Sequence, residues 1–114
     1  MSEGHNILVV EDEPLIAMML EDFLETLGHR IHATCDNLHD ALAQCHAGGF
    51  DIAILDVNLG GEMVYPLAEA LRARGVPFVF TTGYDSHALP PAYADEPRCG
   101  KPADLRAIAA ALRG

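Results

Sequence analysis

The stretch "GFDIAILDVN", residues 49–58, decides the fold. Ile52, Ala53, Ile54 and Leu55 are apolar without interruption. A strand with one wet face alternates apolar and polar residues, so an unbroken run reads as a strand covered on both faces. Asp56 follows with no spacer. A buried strand that runs straight into a carboxylate needs a chemical reason for it.

Working outward, strand and helix patterns alternate along the chain. "ILVV" (7–10) is a short apolar strand. Pro14 suits a first helical turn, and Leu15, Ile16, Met19, Leu20, Phe23, Leu24 and Leu27 then recur at helical spacing up to Gly28. Met18 and Met19 read as helix packing. "RIHATC" (30–35) is a second strand, and Asp36 or Asn37 can cap a helix carrying Leu38, Ala41, Leu42 and Cys45. After the third strand, "DIAIL" (51–55), "LGGE" (59–62) reads as a loop. Val64, Leu67, Ala68 and Leu71 mark a third helix, stopped at Gly75. "PFVFT" (77–81) is a fourth strand. Three prolines between Tyr84 and Pro97 leave room for about one helical turn. "RCG" (98–100) is a very short fifth strand, and Leu105, Ile108, Ala109 and Leu112 close the chain as a helix. Such alternation implies a parallel sheet covered on both faces, with ligands at the carboxyl ends of its strands.

Composition narrows the function. Seventeen acidic residues against seven basic give a net charge of −10. A polyanion would be repelled, so nucleic acid is an unsuitable partner, while a metal cation or a basic protein suits. No apolar run is long enough to cross a membrane. Cys35, Cys45 and Cys99 are odd in number and lack metal spacing, which fits reduced thiols in the cytoplasm. The six histidines have no metal spacing either and read as surface or partly buried.

The strand ends carry the polar groups. The first runs into Glu11-Asp12-Glu13, the third into Asp56, the fourth into Thr81-Thr82-Gly83 and the fifth into Lys101-Pro102. Lys101 is the only lysine in the chain. A parallel sheet brings these ends together, and Asp12 beside Asp56 then needs a cation or a proton between them. Oxygen-only ligands suit a hard ion, above all Mg²⁺. Glu13 is read as favouring the start of the first helix.

With "VVEDEP", "ILDVNLGG", "TTG" and "GKP" in this order, the chain resembles a response-regulator receiver domain of two-component signalling along nearly its whole length. "PFVFTTGYD" and "LPPAY" resemble the single-domain alphaproteobacterial subgroup whose motif reads Phe-Ala-Thr-Gly-x-Tyr, with Thr81 standing at the alanine. The resemblance implies an α/β, flavodoxin-like (βα)5 three-layer sandwich, its parallel sheet ordered 2-1-3-4-5, with a short or irregular fourth helix. It implies one receiver domain over residues 1–114. It implies that Asp56 accepts a phosphoryl group from a histidine kinase or histidine phosphotransfer protein, as a self-modifying switch rather than an enzyme. Asp12, Asp56 and the Asn58 carbonyl would hold Mg²⁺, with Glu11 acting through a water. Thr82 and Lys101 would hold phosphoryl oxygens, and the Lys101-Pro102 bond would be cis. Output would pass to a downstream protein from a monomer or weak dimer. Arg98 stands where many receivers carry a switching aromatic, which leaves Tyr84 as a substitute and the segment 83–100 as the expected moving part.

Two rival classes follow from the same residues. A degenerate receiver would be a phosphorylation-independent interaction module; the intact Asp12, Asp56, Thr82 and Lys101 argue against it. A flavodoxin-like nucleotide or flavin binder would need a glycine-rich loop after the first strand, where this chain has "EDEP".

Overall fold

The computed structural model describes residues 4–82, 90–93, 98–100, 106 and 108–110. Its elements run β1 (Asn6–Val10), α1 (Pro14–Thr26), β2 (Arg30–Cys35), α2 (Leu38–Ala47), β3 (Ile52–Asp56), β4 (Asn58–Leu59), β5 (Glu62–Met63), α3 (Tyr65–Ala73) and β6 (Phe78–Thr82). A 3-10 turn (Pro91–Tyr93) and β7 (Arg98–Gly100) follow. Helical backbone at 106 and 108–110 belongs to the closing helix.

Five strands pair in the order β2-β1-β3-β6-β7, every pair parallel. With the small hairpin β4-β5 set aside, this is the expected 2-1-3-4-5 order. The sheet separates two apolar layers. Leu8, Val10, Ala53, Leu55, Phe78 and Phe80 pack with Ala41 and Cys45 of α2 and Leu67 and Leu71 of α3. Ile7, Val9, Ile52, Ile54 and Val79 pack on the other face with Leu20 and Leu24 of α1 and Ile108 of the closing helix. β3 is buried at all five positions because it lies mid-sheet with both faces covered.

Local chemistry sets the boundaries. Pro14 opens α1, where the first helical N–H groups have no intrahelical partner to lose. Of the two candidate caps for α2, Asn37 is the one used: its Oδ1 accepts from the Asp40 N–H at 2.8 Å. Gly75, at φ +73°, ends the turn after α3 in a conformation that side chains disfavour.

Four expectations change. "LGGE" is not an open loop but the core of a hairpin, Asn58 opposite Met63 and Leu59 opposite Glu62. Gly60 and Gly61 both take positive φ (62° and 100°), as a two-residue turn matched to strand twist requires. β3 and β6 each begin and end one residue later than the expected 51–55 and 77–81, because pairing extends through Asp56 opposite Thr81 and Thr82 opposite Gly100. α1 does not bury its whole apolar repeat. Leu15 is 75% exposed and Met18 59%, with Met19 and Leu27 also open to solvent, so the two methionines are not packing residues. The buried residues of α1 are Ala17, Leu20 and Leu24, a narrower stripe than seven apolar side chains could fill.

Most of 83–97 lies outside the described residues, including Tyr84 and His87. The part that is described is anchored: Tyr93 is buried, stacked on Tyr65 at 5.4 Å between centroids and set edge-on to Phe80 at 5.8 Å. The Arg72 guanidinium lies 4.6 Å above the same ring.

Candidate functional site

The site forms where β1, β3 and β6 end. The Glu11 N–H donates to the Cys35 carbonyl at 2.9 Å, so the ladder continues one residue past β1 and holds Glu11 in register. Its Oε2 accepts from the Glu13 N–H at 3.1 Å. Asp12 is the next residue, partly exposed. Asp56 closes β3 and is 2% exposed, as is Glu11. One carboxylate oxygen from each of Glu11, Asp12 and Asp56 can be chosen so that all three lie within 4.8 Å of one another.

Two of these carboxylates are almost fully buried, so the cluster is repulsive by construction. A set of oxygen donors at this spacing fits a hard divalent cation. The hairpin seals the rim. The Asn58 N–H donates to Asp56 Oδ1 at 3.2 Å, and the Asn58 side-chain oxygen accepts from the Gly61 N–H at 2.7 Å. A Cβ added at Gly60 would come 3.6 Å from Asp12 Oδ2, so the turn backbone runs close against that carboxylate.

The structure thus brings together Glu11, Asp12, Asp56 and the backbone of Asn58. The Thr82 backbone ends β6 opposite Gly100 of β7, and its side chain lies outside the described residues, as do Lys101 and Pro102. The sequence reading gave no part to two neighbours of the site: Gly60 over Asp12, and Thr81, 2% exposed and paired with Asp56. The doubled glycine was the available signal for the first. Cys35 and Cys45 are free, buried thiols outside this cluster, with burial raising the pKa of both. Of the histidines, five are described and all are exposed or partly buried, as expected.

Comparison with known proteins fits this geometry. Residues 7–96 match the response regulator receiver domain. The chain belongs to that family. The receiver is similar to SdrG from Sphingomonas melonis Fr1, with 52% identity, a TM-score of 0.87 and coverage of 99% of this chain and 97% of that one. It is similar to the BeF3-activated conformation of SdrG from Pseudomonas melonis Fr1, at 50% identity and TM-score 0.81 over 95% and 92% of the two chains. Among curated relatives, PhyR of Methylorubrum extorquens is 31% identical over 86 residues, covering 73% of this chain and 32% of PhyR. TcrA of Mycobacterium tuberculosis is 37% identical over 73 residues, 64% of this chain and 28% of TcrA. The chain therefore spans about a third or less of the length of these two relatives.

The receiver is a phospho-acceptor module of two-component phosphorelays, not a conventional enzyme. Receivers bind Mg²⁺ at their acidic pocket, and this chain has that pocket. Membership implies a cognate kinase. Among the described residues no helix is long and apolar enough to cross a membrane.

Proposed function

We propose that Asp56 is the residue that takes the phosphoryl group, from a histidine kinase or a histidine phosphotransfer protein. The observation that carries this is the position of Asp56: buried, fixed on the central strand, and within 4.8 Å of two further carboxylates. A rigid mount holds a nucleophile in line with its target without the entropy loss of ordering it during reaction. Asp12, Asp56 and the Asn58 carbonyl would hold Mg²⁺, with Glu11 reached through a water; the ion would offset the charge brought by the phosphoryl group. Thr82 and Lys101 would hold phosphoryl oxygens. The pairing of Thr82 with Gly100 supports that assignment, since Lys101 is the next residue along the chain.

The module would act as a receiver of the alphaproteobacterial kind represented by SdrG, passing its signal to a downstream protein in the cytoplasm. Acetyl phosphate with Mg²⁺, followed by intact mass, tests the central claim. Wild type should gain one phosphoryl mass and Asp56→Asn none. A variant that still gains it would place the acceptor elsewhere.

A further inference from the structure

Glu11, Asp56 and Thr81 are the buried polar side chains among the described residues, each 2% exposed. They are not scattered. Ile7 and Val9 of β1, Ile52 and Ile54 of β3 and Val79 of β6 all face α1 and the closing helix. Strand alternation carries that same face to Glu11, Asp56 and Thr81. The register agrees, with Val9 opposite Ile54 and Asp56 opposite Thr81. The three therefore form one row across adjacent strands, with Asp56 in the middle.

The acidic pocket accounts for Glu11 and Asp56 but not for Thr81. The Thr81 backbone carbonyl is in use, accepting from the Val57 N–H at 3.1 Å. Its hydroxyl is buried with no hydrogen-bond partner among the described residues. A hydroxyl removed from water without a partner is unfavourable, and such a group calls for a reason in another state of the protein or in its chemistry. Valine has the same branched shape and avoids the penalty. Neighbouring strands lie about 4.8 Å apart, so a change of χ1 between staggered wells is enough to turn this hydroxyl toward the adjacent carboxylate.

We propose that the Thr81 hydroxyl donates to the Asp56 carboxylate as the phosphoryl group leaves, and so sets the lifetime of the phosphorylated state. The inference rests on Asp56 being the acceptor. In hydrolysis a water oxygen bonds to phosphorus, the P–O bond to Asp56 breaks, the electron pair returns to the carboxylate, and the water's proton passes to solvent. The carboxylate gains charge during this step, so a hydrogen bond to it strengthens on the way to the transition state. Phosphorylation starts from a carboxylate that is already charged. There the carboxylate loses charge as it attacks, so the hydroxyl, which has no partner at rest among the described residues, gains nothing by turning toward it, and the rate of formation changes little.

The test compares wild type, Thr81→Val and Thr81→Ser in three measurements: labelling rate with acetyl phosphate, decay of the label by intact mass after the donor is removed, and melting of the unphosphorylated protein. Thr81→Val should melt no lower than wild type, label at the wild-type rate and lose its label about tenfold more slowly, the equivalent of roughly 1.4 kcal/mol. Thr81→Ser should decay like wild type. Equal or faster decay in Thr81→Val overturns the proposal. So does a lower melting temperature in Thr81→Val that Thr81→Ser restores, because the hydroxyl would then be bonded in the resting protein. A wild type that takes no label removes the Asp56 assignment itself, and this inference with it.

Discussion

The carboxylate cluster should make the resting protein less stable than it could be, and Asp12→Asn should reveal by how much. Asparagine keeps the size and shape of aspartate, so charge is the property removed. Two unit charges 4.8 Å apart repel by about 0.9 kcal/mol in a water-like dielectric and by about 3.5 kcal/mol at an effective dielectric near 20. Asp12 is partly exposed and has two such neighbours, Glu11 and Asp56. Taking the water-like end for each pair gives about 2 kcal/mol of strain relieved. For a domain of this size 1 kcal/mol moves the melting temperature by about 4 °C, so the variant should melt about 8 °C above wild type.

The assay is thermal unfolding by circular dichroism in EDTA at low salt, repeated with MgCl2 and with NaCl. Added Mg²⁺ should raise wild type, since a ligand at 100 times its dissociation constant adds about 2.7 kcal/mol, while the variant should gain little. The gap in EDTA should survive about 0.1 M salt, where the Debye length is about 10 Å, and shrink near 1 M, where it is about 3 Å. If Asp12→Asn melts below wild type in EDTA, the three carboxylates are not the source of strain. If Mg²⁺ raises both proteins equally, the ion binds elsewhere.

Two further outcomes can be checked. Burial, and next the charge of His5, holds the pKa of His29 below its usual 6.5, and the neutral ring accepts the His5 backbone N–H at 3.0 Å. Below pH 6.5 the unfolded chain takes up a proton that the folded one refuses, so stability falls as pH drops toward the folded value. An NMR titration should put His29 below 6.5, and His29→Gln should lose less stability between about pH 7 and 5.5 than wild type; a His29 midpoint above 6.5 would refute the account. Tyr93→Ala should lower the urea midpoint by the equivalent of about 3 kcal/mol, as aromatic truncations in cores do, through loss of its packing on Tyr65 and Phe80. A loss below about 1 kcal/mol would mean that the 3-10 turn is not anchored by this ring.

The layered fold and the acidic pocket were legible because their signals are local. Runs such as "ILVV" and "IAIL" need no partner to be read as buried strands, and Pro14, Asn37 and Gly75 act on the backbone at their own positions. The hairpin was not legible, since strands of two residues are too short to show alternation and only Gly60-Gly61 hinted at the turn. The exposure of Met18 and Met19 was hidden for a different reason. A helix with apolar residues on most of its circumference gives no sign of which stripe meets the sheet, and the contact here uses Ala17, which hydrophobic periodicity weighs lightly.

The row of Glu11, Asp56 and Thr81 was hidden by the feature that revealed the fold. In a strand with one wet face, the polar residues show which positions share a side. β3 is covered on both faces, so "IAIL" carries no parity, and neither does "FVF" in β6. Which residues of neighbouring strands share a face then depends on register alone, and register in a parallel sheet is set through crossovers that pack long after each strand in the chain. Only the ladder, with Ile54 opposite Val79 and Asp56 opposite Thr81, shows that Thr81 of the "TT" pair belongs beside Asp56. Thr81 thus joins Asp56 at the site through strand pairing. Buried polar residues on double-covered strands are therefore best sought by register first and by motif second.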